Sequence, residues 1–277
     1  MLSLSRRNKV HSSSLRSTLS SFLPLFFLTT TSKTQIQAMS TSASSSKNNK
    51  SAALIFLHGL GDTPAGWSSL ENQLPNIQPS LSNIEYVFPA APTIPISING
   101  GMTMPGWFDL YDWPIGIGVK DDHDGLKAAV QVVEEHVVDL EQNKGISRDR
   151  IVIGGFSQGG AVALQSVYNK DNGSSSSSSS SDVNTCKGKF AGCISLSGWL
   201  TFQNVADEIK DVPLFLAHGS YDDKVLFEQQ KHAEVKLSEQ GVNNVDSRSY
   251  SMGHSSDTQE LVDMAKFLDD ILFQKAE

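Results

Sequence analysis

The sequence predicts a three-layer α/β domain on a mostly parallel central sheet, spanning residues 51–277. Three observations predict it. Short apolar runs recur along the chain with little polar alternation, and strands buried on both faces read that way. Amphipathic helical patterns fall between those runs. The two signals alternate over about 220 residues, the pattern of one sheet covered on both faces by helices.

The elements follow in order. Ala52–Leu57 is the first strand run and stops at Gly59; Ile84–Phe88 is the second and stops at Pro89. Ile151–Ile153 meets Gly154-Gly155. Ala191–Leu196, Pro213–Ala217 and the more polar Asp246–Tyr250 complete the set. Helical spacing joins Leu126, Ala129, Val130, Val133, Val137 and Leu140. It recurs in Leu261, Met264, Ala265, Leu268 and Leu272. Ala161–Tyr168 reads as a helix directly after the third strand.

Composition narrows the function classes. The chain has 277 residues, 39% of them apolar, enough to bury a core. No run of 18 apolar residues exists, so the sequence predicts no membrane-spanning helix. Cys186 and Cys193 are too few for a disulfide framework. Of the 22 Lys and Arg, seven lie in residues 1–50, which hold no Asp or Glu. The rest of the chain therefore carries 15 basic residues against 30 acidic ones. So acidic a body argues against a nucleic-acid partner, where binding rests on neutralising phosphates. No metal-ligand cluster or phosphate-cradling loop is evident, so no metal or cofactor is expected.

Two segments stand outside the domain reading. Residues 1–50 are basic and Ser-rich and contain the apolar run Phe22–Leu28. They read as a disordered leader or a targeting segment. The location expected is cytoplasmic, or organellar if the segment is a working transit peptide. Ser174–Ser181, eight consecutive serines, reads as a surface-loop insertion, because such a run buries too little to offset its ordering entropy.

Gly155-Phe-Ser-Gln-Gly159 fits G-x-S-x-G in the context that gives the motif meaning, with a strand before it and a helix after. A sharp strand-to-helix turn exposes the Ser157 hydroxyl, and side chains at 155 or 159 would crowd it. A serine hydroxyl needs a base, and the base an orienting acid, in the chain order Ser, Asp/Glu, His. His254, in the small-residue loop Ser251–Ser256 before the last helix, is the base expected. His218 reads as a structural histidine closing a turn, and His232 lies mid-helix. The acid belongs in His218-Gly-Ser-Tyr-Asp-Asp-Lys-Val225, where Asp222 fits H-G-x-x-D-x-x-V and Asp223 is the alternative. Two such adjacent carboxylates are expected to raise one pKa. Backbone N–H groups of Gln158 and of Leu60, in Phe56-Leu-His-Gly-Leu-Gly-Asp-Thr63, are the oxyanion-hole candidates, with His58 as a loop anchor.

Taken together, Leu57-His-Gly-Leu-Gly-Asp-Thr63, Pro105-Gly-Trp-Phe-Asp109, Gly154–Gly160, Leu196-Ser-Gly-Trp-Leu200 and Gly253-His-Ser255 resemble the acyl-protein thioesterase family of α/β-hydrolases. Its members are also described as lysophospholipases and carboxylesterases. The resemblance is collinear over residues 51–273. It implies an α/β-hydrolase fold and a cytosolic serine hydrolase. The substrates it implies are S-acylated proteins, carboxyl esters and lysophospholipids, with at most transient membrane contact. Residue by residue it puts the nucleophile on Ser157, the acid on Asp222, the base on His254, and oxyanion amides on Leu60 and Gln158. It also places Pro95–Asp109 as a loop over an acyl channel, where Met102, Met104, Trp107 and Phe108 are candidates to line an apolar chain. Competing readings are a small-molecule carboxylesterase or lysophospholipase without protein substrates, and a hydrolase-fold receptor that turns nothing over. The intact Ser157, Asp222 and His254 set argues against the receptor.

Overall fold

A computed structural model describes residues 50–169 and 188–274. The leader up to residue 49, the Ser174–Ser181 run and Cys186 lie outside the described residues. Eight strands and six α-helices follow in chain order among them. First come β1 (Ala52–Leu57), α1 (Pro64–Trp67), α2 (Leu70–Ile77), β2 (Ile84–Val87), β3 (Thr93–Ile96) and β4 (Met102–Pro105). Then come α3 (His123–Asn143), β5 (Ile151–Phe156), α4 (Gln158–Tyr168) and β6 (Gly192–Leu196). The last are β7 (Leu214–Gly219), α5 (Glu228–Glu239), β8 (Val245–Tyr250) and α6 (Thr258–Leu272).

Six strands form one sheet in the order β2-β1-β5-β6-β7-β8, and every neighbouring pair is parallel. The unalternated apolar runs now have a cause. In β1, Ala53, Ile55 and Leu57 join a core with α3, α4 and α5, while Ala52, Leu54 and Phe56 join a second core with α2 and α6. Both faces of the strand are dry, so both parities must be apolar. The result is three layers: helices, sheet, helices.

Two local expectations are corrected. Gly154 and Gly155 read as the end of a strand, yet they continue β5 in register between β1 and β6. A Cβ on Gly154 would meet Phe56 at 3.0 Å and Ile194 at 3.1 Å, so the missing side chain lets large neighbours close over the strand. The segment Pro95–Asp109 read as a loop, but much of it lies in an antiparallel hairpin, β3 paired with β4 from Thr93↔Pro105 to Ile96↔Met102. Asp109 fastens this hairpin, accepting from Ser97 N–H at 2.7 Å and from the Ser97 hydroxyl at 2.5 Å.

Strand order reverses beside β1: β2 lies on one side of it, and β5 to β8 extend from the other. In parallel sheets the crevice beyond the strand ends at such a switch point is where ligands bind. The loops leaving β1 and β5 there carry Leu60 and Ser157.

Candidate active site

Ser157 links β5 to α4 at φ 56°, ψ −120°, a backbone region that few non-glycine residues adopt. The turn is held on both sides. Ser157 N–H donates to Leu196 O at 2.8 Å, and Ser157 O accepts from Ala161 N–H at 3.0 Å. The flanking glycines are there for space. A Cβ on Gly159 would lie 2.2 Å from Leu57 O, and one on Gly155 would lie 2.4 Å from Gly159 C. Helix α4 starts immediately after the serine, so its N-terminal dipole favours negative charge there.

His254 connects the serine to the acid. Its Nε2 is 2.9 Å from Ser157 Oγ and its Nδ1 is 2.7 Å from Asp222 Oδ2. A carboxylate only accepts, so Nδ1–H donates to Asp222 and Nε2 is left to accept the serine proton. The imidazole also packs 4.7 Å from the Phe156 ring, centroid to centroid. The acid and base loops are bonded to each other: Ser220 N–H to Tyr250 O at 2.8 Å, Tyr221 N–H to Met252 O at 3.0 Å. Gly219 permits this approach, because a Cβ there would sit 2.3 Å from Gly253 O.

Asp222 is buried, and Asp223 beside it is exposed and paired with Lys224 at 3.3 Å. The acid is therefore Asp222. Its Oδ1 accepts from Lys224 N–H at 2.9 Å and from Val225 N–H at 3.0 Å. Burial by itself raises a carboxyl pKa. Here the His218, His254 and Lys224 N–H groups outweigh burial and hold Asp222 well below the usual carboxylate range. The expected upward shift from the adjacent carboxylate is thus reversed for Asp222. His218 does close the turn, with Nε2–H donating to Val225 O at 2.8 Å. The same nitrogen lies 3.4 Å from Asp222 Oδ2, a contact the sequence reading did not foresee.

Leu60 and Gln158, the oxyanion-hole candidates, stand at the ends of β1 and β5. Neither backbone N–H has an acceptor among the described residues, leaving both donors free for an incoming oxygen. His58 is buried as a loop anchor, with Nδ1–H donating to Gly59 O at 2.8 Å and Nε2 accepting from Ala91 N–H at 3.1 Å. The four acyl-contact candidates divide. Met102 is exposed on the hairpin, and Met104 is half-buried beside the oxyanion loop. Trp107 and Phe108 are packed into the core, Phe108 edge-on to Trp199 at 5.8 Å. No cluster able to hold a metal ion occurs among the described residues.

A histidine bonded at once to a hydroxyl and to a buried carboxylate can take the hydroxyl proton as the oxygen attacks an acyl carbon, then return it to the leaving group. The chain is a serine hydrolase on an α/β-hydrolase fold. Residues 39–272 match the phospholipase/carboxylesterase family, and the chain belongs to that family. It is 36% identical over 239 residues to acyl-protein thioesterase 1 of Debaryomyces hansenii, covering 83% of this chain and 95% of that one. Among solved structures it resembles Arabidopsis thaliana SOBER1, with a TM-score of 0.68, 30% identity, and coverage of 80% and 99%. It also resembles Zea mays acyl-protein thioesterase 2, with a TM-score of 0.67, 32% identity, and coverage of 82% and 96%.

Proposed function

We propose that the protein hydrolyses thioesters joining fatty acyl groups to cysteine side chains of proteins, and carboxyl esters of similar acids. The observation that carries this reading is an assembled Ser157–His254–Asp222 relay in a chain that matches 95% and 96% of the length of two acyl-protein thioesterases. Ser157 Oγ attacks the thioester carbon while its proton passes to His254 Nε2. The carbonyl oxygen takes on negative charge and accepts hydrogen bonds from the Leu60 and Gln158 N–H groups, a reading supported by both being unbonded among the described residues. The C–S bond then breaks, His254 protonates the departing sulfur, and an acyl-Ser157 ester remains. Water, deprotonated by the same nitrogen, releases the fatty acid and restores the serine. Met104, half-buried against the oxyanion loop, supports contact with an apolar chain.

The test is a chain-length series of S-acyl cysteine peptides and matched esters, run beside Ser157→Ala. The reading expects kcat/KM on the long-chain thioester to equal or exceed that on the esters, with both lost in the variant. Cleavage of short esters with no measurable thioester hydrolysis would move the protein to the carboxylesterase reading.

A further inference from the structure

The two oxyanion-donor candidates follow different strands, yet one short stretch, Pro105–Phe108 at the end of β4, is bonded to the residues flanking Leu60 and to the side chain of Gln158. On the β1 side, Pro105 O accepts from Gly61 N–H at 2.7 Å, and the Trp107 indole Nε1–H donates to His58 O at 2.8 Å. These two bonds bracket Leu60. On the β5 side, the Gln158 carboxamide accepts from Trp107 N–H at 2.8 Å and donates to Phe108 O at 2.6 Å. Gln158, Trp107 and Phe108 are all buried, so these polar bonds have no water to replace them.

We propose that Trp107 and the Gln158 side chain are positioning residues of the serine-hydrolase site, setting the separation and aim of the Leu60 and Gln158 backbone donors. Neither side chain touches the reacting atoms. Each donor belongs to a peptide whose neighbours are tied to the same four-residue stretch, so the gap between the donors is fixed across that stretch. The His58 ring adds to this: by holding Gly59 O it orients the planar peptide whose opposite end is the Leu60 N–H. A packing role alone would be served by an apolar side chain at 158. A buried carboxamide with donor and acceptor both paired, to residues 50 and 51 positions away, specifies one geometry. Oxyanion stabilisation depends steeply on that geometry, since losing one donor outright costs roughly 10²–10³ in kcat.

The experiment uses the full chain, a short p-nitrophenyl ester and a boronic acid that adds to Ser157 as a tetrahedral adduct; the ester keeps the result independent of the thioester reading. Trp107→Phe deletes the indole N–H and keeps an aromatic, smaller ring. Gln158→Met deletes both carboxamide bonds and keeps the backbone donor at 158. Rates are taken per active site titrated with a fluorophosphonate, so misfolded protein does not count. Each variant should lose about 10- to 100-fold in kcat, with KM changed by less than about threefold and boronic-acid affinity reduced in step with kcat. The double variant should lose less than the product of the two single losses, because the pair acts as one unit. A kcat per titrated site within about threefold of wild type in both variants, whatever happens to Tm, would overturn the proposal. So would a fall in kcat with boronic-acid affinity unmoved. If one variant does not fold, the other decides alone.

Discussion

Asp222 shows how a single carboxylate is tuned by what surrounds it. Four N–H groups converge on a buried side chain, so it stays ionised far below neutral pH and holds the His254 tautomer. Asp222→Asn puts an N–H donor where His254 Nδ1–H needs an acceptor, and kcat should fall by about 10⁴. Asp223→Asn removes only an exposed partner of Lys224 and should leave kcat within about twofold. Steady-state kinetics on both variants checks the assignment, and a larger loss from Asp223→Asn would refute it. At this scale the site was largely legible, because G-x-S-x-G and H-G-x-x-D-x-x-V are local spacings set by one turn each. His218 was half-read. Its turn closure is visible in sequence, but its approach to Asp222 depends on how that turn folds back.

Among the elements, the inner strands β1, β5, β6 and β7 were legible because burial on both faces leaves an apolar signature, whereas the edge strand β8, half-exposed and polar, showed only its alternation. The β3–β4 hairpin was not legible. It is short, half-exposed, interrupted by Pro95 and Pro105, and turned through Gly100 and Gly101, which both adopt positive φ. The bonds from Trp107 to His58 and Gln158 span 49 and 51 residues, so no local pattern announces them. Helix α6 carries a pH-sensitive feature at its start. Asp257 caps the helix through Gln259 N–H at 2.7 Å, and Glu260 is fully buried with neither carboxyl oxygen hydrogen-bonded. Burial pushes the Glu260 pKa up from 4.5 to about 8. The native state therefore keeps a proton that the unfolded chain gives up between these values. Stability falls as the pH rises through that window, by at most about 1.4 kcal/mol per pH unit. Asp222 works the other way: its contribution is present above the unfolded value of 3.8 and is lost only in stronger acid. Glu260→Gln should flatten the fall in Tm between about pH 5 and pH 8, its Tm difference from wild type growing with pH. Thermal melts across that range test this, and a difference independent of pH would contradict it.

The whole molecule explains why these parts meet. Reversal of strand order beside β1 opens the crevice. The loops after β1 and β5 deliver the oxyanion-donor candidates and Ser157 to it, and the loops after β7 and β8 deliver Asp222 and His254. The sheet is the rigid part, and each catalytic group leaves the C-terminal end of a different strand. Sequence alone gave that layout its strands and its chemistry but not its hairpin, whose contacts with both oxyanion loops exist only once the sheet has formed. The central claim is that Ser157, activated by His254 and Asp222, is the sole nucleophile. Mass spectrometry of the full chain after a fluorophosphonate reaction tests it most directly. The account predicts one adduct per chain, on the peptide carrying Ser157, no adduct on Ser157→Ala, and a loss of roughly 10⁶ in that variant's kcat. An adduct on another residue, or a Ser157→Ala variant that keeps about a tenth of wild-type turnover, would contradict it.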